Sequence, residues 1–198
     1  MGFSFDLTGR TALITGASSG LGTRFGRILA ASGANVALGA RRADRLVALA
    51  GEIGPAAAAI QMDVAREADI IAGFDAAEAA FGPVDTVIAN AGVDGAGMAT
   101  TISEDEIEQT LAINLKGAIL TAREGAKRMM AQGVTNGRIV LIASITAFEP
   151  SPGLVAYAAS KAGVVQAGRT LAREWARAGI NVNTVSPGYI RTAINDAR

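Results

Sequence analysis

Short apolar runs of five or six residues alternate with longer stretches whose apolar positions recur at helical spacing, and that alternation leaves few architectures open. A strand, a helix and a second strand in succession form the repeating unit of a parallel sheet covered by its own crossovers. The pattern predicts strands over Thr11–Thr15, Asn35–Gly39, Ala57–Gln61, Asp85–Ala89, Arg138–Ala143 and Asn181–Val185. Each is nearly all apolar, as expected of strands buried on both faces. Crossover helices are predicted to begin near Gly20, Asp44, Glu67, Ser103 and Val155, with Ser103 and Glu106 forming a capping box. Glu104, Asp105, Glu106 and Glu108 read as complements to that helix's dipole rather than as metal ligands. A chain of 198 residues fits one domain spanning its whole length.

The first strand runs directly into TGASSGLG, which puts Gly16, Gly20 and Gly22 where a helix opens. Glycine lets backbone approach a pyrophosphate without a Cβ clash, and a helix N-terminus offers the N–H groups to hold it. Thr15, Ser18 and Ser19 add hydroxyl donors around the same turn. A glycine-rich turn alone is a weak signal; its place in the first strand-to-helix connection strengthens it.

In dinucleotide sites an acidic residue about 20 positions further on holds the adenosine ribose, whereas an arginine there accommodates a 2′-phosphate. The second strand ends in ALGARR, with no carboxylate at its tip. Arg41 and Arg42 therefore either fork around a 2′-phosphate, favouring NADP(H) over NAD(H), or solvate the strand end and pair with Asp44. Asp63, in Met62-Asp63-Val64 after the third strand, either accepts a hydrogen bond from an adenine amino group or caps the next helix.

Histidine and cysteine are both absent. That removes the Ser-His-Asp triad, His-ligated zinc, thiolate nucleophiles and disulfides, leaving Tyr, Lys, Ser, Asp and Glu for proton chemistry. Tyr157 and Lys161 stand four apart in VAYAASKAGVVQAG, one turn apart on one helix face. A neighbouring ammonium favours a phenolate, which suits the phenol to general acid–base work. Alone such a pair often means a packed tyrosine and a snorkelling lysine. Here it follows by 13 residues a serine, Ser144, at the end of RIVLIAS. Ligands of doubly wound sheets bind at that strand edge, where a hydroxyl can orient a substrate oxygen.

Eighteen basic residues balance 18 acidic ones, so no net field favours nucleic acid or an anionic membrane. The opening MGFSFDLTGR lacks a signal-peptide pattern and no apolar run has the length of a membrane span, so a soluble, cytoplasmic protein is expected.

Together these residues resemble the short-chain dehydrogenase/reductase family, from Thr8 to Thr192. TGASSGLG, with Leu21 inside it, resembles the family's cofactor loop, and Asn90-Ala91-Gly92 resembles its N-A-G motif beside the adenosine. Asn114 in LAINLKG matches the asparagine that kinks its helix and links the lysine to solvent; Ser144, Tyr157 and Lys161 match the other catalytic positions. In NTVSPGYIRTAI, Pro187 and Gly188 match residues that pass the nicotinamide, and Ile190 and Thr192 residues that meet its carboxamide. The resemblance implies a Rossmann-type, three-layer α/β/α fold with strand order 3-2-1-4-5-6. It also implies a substrate lid and a seventh strand that the sequence to Arg198 does not supply.

The implied activity is hydride transfer between NADP(H) and a carbonyl or secondary alcohol, with proton transfer through Tyr157. Lys161 would hold the nicotinamide ribose, Ser144 would polarise the carbonyl, and Asn114 would complete a proton relay. The alternative is a sensor or scaffold that binds NADP(H) with little turnover. A homodimer or homotetramer is implied, packed through helices around 104–131 and 156–178. Gly95, Gly97, Met98, Ile145, Thr146 and Phe148 are expected to line an apolar substrate pocket.

Overall fold

The computed structural model describes residues 5–190. Strands β1 (Thr11–Thr15), β2 (Asn35–Ala40), β3 (Ala57–Gln61), β4 (Thr86–Ala89), β5 (Gly137–Ile142) and β6 (Ile180–Val185) form one sheet. All neighbours are parallel, in the order β3-β2-β1-β4-β5-β6. Leu13 of β1 stands beside Ala37 of β2 and Val87 of β4. The order reverses between β1 and β4, and a crevice opens at such a switch point, outside the carboxyl ends of the strands. This is the Rossmann-type arrangement that the sequence implies.

Helices cover both faces because successive strand residues point to opposite sides. Ile14, with Val36 and Leu38, packs under α1 (Gly20–Ala31) and α2 (Ala43–Ile53), joined by Leu46 and Leu49. Leu13, with Val87, Ile139 and Leu141, packs under α3 (Glu67–Phe81) and α5 (Gly117–Ala131), joined by Phe74 and Met129, and beneath α6 (Val155–Trp175). Burying each such side chain contributes roughly 1.5–3 kcal/mol.

The predicted strands hold to within one residue at each end. The expectation of burial on both faces fails for β6, where Ile180 and Val182 are buried while Asn181 and Asn183 are exposed, and for β3, where only Ile60 is buried. Both lie at the edges of the described sheet.

Between β4 and β5 the chain forms α4 (Glu104–Leu111), a π-helical turn over Ala112–Lys116, and α5. Ser103 caps α4 in the expected box, its hydroxyl accepting from Glu106 N while the Glu106 carboxylate accepts from Ser103 N. The Ser103 backbone N–H, and after it the Ser103 hydroxyl donating to Glu106 Oε2, hold the Glu106 carboxyl below its ordinary value. Among the described residues no helix is long and apolar enough to cross a membrane.

Candidate active site

A cleft of about 480 Å³ lies along the carboxyl edge of the sheet. Gly16, Ser18, Ser19, Gly20 and Leu21 line it from the first turn, Arg41 and Arg42 from the tip of β2, and Asp63 and Val64 from beyond β3. Asn90, Ala91 and Gly92 follow from β4, Ser144 from β5, Tyr157 and Lys161 from α6, and Pro187, Gly188 and Ile190 from beyond β6. Gly22 and Asn114 stand behind the wall rather than on it. Thr192 lies outside the described residues.

The glycine turn is built against the end of β4. Gly16 has φ +69°, and a Cβ there would stand 2.7 Å from Ala91 Cα and 2.9 Å from Asn90 Nδ2. A Cβ on Gly22 would collide with the Gly16 carbonyl. Asn90 Nδ2 donates to Thr15 O (2.9 Å) and Gly16 O (3.3 Å), fixing the approach. Thr15 differs from expectation. Its hydroxyl is buried and accepts from the backbone N–H of Asn90 (3.0 Å) and Ala91 (3.1 Å), so it ties β1 to β4 and does not face a ligand. Helix α1 opens at Ser19 with no side-chain cap and no acidic residue in its first turn. Its leading N–H groups and positive dipole end are therefore open to an anion.

At the other end of the turn, Arg42 donates from Nε (3.2 Å) and Nη2 (2.9 Å) to Ser18 Oγ, and from Nη2 (2.9 Å) to Ser19 Oγ. The guanidinium is thus held over the turn by two hydroxyls whose own protons remain to be donated. None of the ion pairs among the described residues joins Arg41 or Arg42 to Asp44. Asp63 organises the chain after β3: its Oδ1 accepts from Ala65 N (3.0 Å), while Arg66 occupies the cap position of α3. The capping alternative is therefore replaced by a local turn three residues earlier, with Asp63 still on the cleft wall.

Ser144, Tyr157 and Lys161 come together at the opposite end. Lys161 is 4% exposed, and its Nζ lies 5.7 Å from the centroid of the Tyr157 ring. Burial pushes the ammonium down to about 8. Nζ donates to the carbonyl of Ile142 (2.8 Å), two residues before Ser144, so the strand that carries the serine also anchors the lysine. The spacing of Tyr157 and Lys161 could not reveal that bond, because it crosses from α6 to β5.

Asn114 is fully buried in the π-helical turn, and its amide is spent on the protein. Oδ1 accepts from Val93 N (2.8 Å); Nδ2 donates to Val93 O (2.8 Å) and to Ser160 Oγ (3.1 Å). Ser160 in turn donates to Tyr157 O (2.7 Å). The side chain thus clamps the loop after β4 to the turn bearing Tyr157, with Lys161 bonded instead to Ile142. A Cβ on Gly92 would lie 3.3 Å from Asn114 Oδ1 and 3.5 Å from Lys161 Nζ, so the loop passes directly over this group.

The six residues expected to line a substrate pocket do not line this cleft. Gly97 N donates to Gly153 O (2.9 Å), Gly95 packs on Thr110, and Met98 and Phe148 are exposed. Sequence reasoning missed Ala40, Met62, Val93, Ile113, Ile142 and Ala143 on the wall. Most sit next to residues already singled out, and their apolar character carried no distinguishing signal.

Residues 10–198 match the family described as short chain dehydrogenase. D-threitol dehydrogenase of Mycolicibacterium smegmatis is 39% identical over 97% of this chain and 74% of its own length. A short-chain type dehydrogenase/reductase from Mycobacterium marinum superposes with a TM-score of 0.93 at 35% identity, covering 98% of this chain and 78% of that one. The 3-ketoacyl-(acyl-carrier-protein) reductase of Brucella melitensis, complexed with NADH, gives 0.92 at 34% identity over 96% and 79%. The sheet order, the glycine turn packed on Asn90 and the matched length agree: the chain belongs to the short-chain dehydrogenase/reductase family of oxidoreductases.

Proposed function

We infer that this protein transfers hydride between NADP(H) and a carbonyl or secondary alcohol. The observation that carries the reading is a single cleft holding a Cβ-free anion cradle at one end and Ser144, Tyr157 and Lys161 at the other. A dinucleotide fits that chemistry. Gly16, Ser18, Ser19, Gly20 and Leu21 would hold its pyrophosphate, with Gly22 packed behind the turn; Asp63 and Val64 would hold its adenine, and Asn90, Ala91 and Gly92 its adenosine side. Pro187, Gly188, Ile190 and Thr192 would meet its nicotinamide. When bound, the dinucleotide supplies or accepts a hydride.

The chain's own groups manage the proton. Tyr157 gives its phenolic proton to the substrate oxygen in reduction and takes it back in oxidation. Lys161 opposes the negative charge left on the phenol and would hold the nicotinamide ribose of a bound dinucleotide, and Ser144 donates to the substrate oxygen. Asn114 holds the turn under Tyr157 and, through it, the relay to solvent.

The preference for NADP(H) rests on Arg42, seated over Ser18 and Ser19 where a 2′-phosphate would meet charge-assisted donors, with Arg41 beside it. The Brucella reductase is complexed with NADH, so the family alone does not set this choice. We read residues 1–198 as one domain of a cytoplasmic homodimer or homotetramer, a reading that size-exclusion chromatography with light scattering tests. Parallel titrations with NADPH and NADH, followed by nicotinamide emission, test the cofactor. Tighter NADPH binding supports the reading, tighter NADH binding removes the 2′-phosphate role of Arg42, and binding without turnover of any ketone or secondary alcohol leaves a sensor in place of an enzyme.

A further inference from the structure

We propose that Thr146 is a positioning residue that makes Ser144 a hydrogen-bond donor only, so that the site selects an oxygen presenting lone pairs. The inference rests on the proposed oxidoreductase reading. A serine hydroxyl has one proton to give and two lone pairs to receive with. Ser144 Oγ accepts from Thr146 N (3.2 Å) and lies 2.9 Å from the Thr146 hydroxyl; with that hydroxyl donating, both lone pairs of Ser144 are filled. No hydrogen bond among the described residues takes the Ser144 proton, and the side chain lines the cleft with Tyr157. The proton is therefore the one thing Ser144 can offer a ligand.

Without the threonine hydroxyl, one lone pair is freed. Ser144 could then accept a proton from a ligand hydroxyl, and its fixed polarity is lost. The turn itself does not depend on that hydroxyl. Ala147 N donates to Ser144 O (3.0 Å), Phe148 N to Ile145 O (2.9 Å), and Ile145 N to Pro187 O (2.9 Å), all through backbone. Thr146→Val keeps the shape and the β-branch, and removes only the second donor. Thr146→Ser keeps the donor.

The full chain and its variants are assayed with NADPH and an aromatic α-diketone, backed by a panel of ketones and secondary alcohols. Thr146→Val is expected to lower kcat about 3- to 10-fold, the effect of one neutral hydrogen bond, while KM for NADPH stays unchanged. Thr146→Ser should restore most of the loss. In a Ser144→Ala background, Thr146→Val should cause no further loss, because the effect passes through the serine oxygen. An unchanged kcat in Thr146→Val overturns the inference, as does an equal further loss in the Ser144→Ala background or a parallel rise in KM for NADPH. If the unsubstituted protein reduces nothing in the panel, the oxidoreductase reading fails and takes this one with it; turnover with an indifferent Thr146→Val removes this one alone.

Discussion

Arg42 and Lys161 carry the two sharpest residue-scale expectations. Arg42 spans the hydroxyls of Ser18 and Ser19, and hydrogen bonds to charged groups contribute about 1.5–3 kcal/mol each. Arg42→Ala should therefore weaken NADPH at least about 10-fold while leaving NADH nearly unchanged. Equal losses for both in fluorescence titration mean that the arginine serves the turn and not a 2′-phosphate. Lys161 is held down to about 8 by burial, against about 10.4 in an unfolded chain. Below pH 8 both states carry the charge and the fold bears the full desolvation cost. From there to about 10.4 the unfolded chain keeps a proton that the folded one has shed, so stability rises with pH across the window. Lys161→Met should be relatively more stable near neutrality, with an advantage that shrinks by on the order of 3 kcal/mol as pH passes about 10.4. Urea denaturation in a pH series reads this directly, and a constant difference between the two proteins contradicts it.

At the scale of elements, the glycine turn is over-determined by its neighbour strand. Gly16→Ala places a Cβ 2.7 Å from Ala91 Cα at a φ of +69°, and should cost about 2–4 kcal/mol in urea unfolding. Gly51, inside α2 with nothing within 4 Å of its Cβ site, serves as the contrast; Gly51→Ala should stabilise by roughly 0.4–1 kcal/mol. Equal responses at the two positions would contradict the close approach. The strands themselves were legible because both faces of β1, β2 and β4 demand apolar side chains, which leave unbroken runs. The half-exposed β6 was not legible in that way, since its neighbours on each face are set by tertiary packing. Gly95, Gly97, Met98, Ile145, Thr146 and Phe148 were placed by position alone; they lie outside the cleft lining, with Gly97 bonded to Gly153 and Ile145 to Pro187 through backbone.

Over the whole molecule, the reversal of strand order between β1 and β4 gathers groups from distant parts of the sequence into one crevice. Residue types and spacing announced Gly16, Ser144, Tyr157 and Lys161, because the first two sit at strand ends where a parallel sheet must present them and the last two share one face of α6. They did not announce the Lys161 bond to Ile142, the Asn114 clamp on Val93 and Ser160, or the seat of Arg42, which exist only once the sheet is assembled. The central claim is that this cleft binds a nicotinamide dinucleotide and moves a proton through one phenol. Tyr157→Phe removes that proton and nothing else of size. Turnover and NADPH affinity should be measured on the same preparation of this variant: the account predicts activity lost by about 100-fold or more, the contribution of a general acid, with affinity nearly unchanged. Substantial retained turnover in Tyr157→Phe contradicts it.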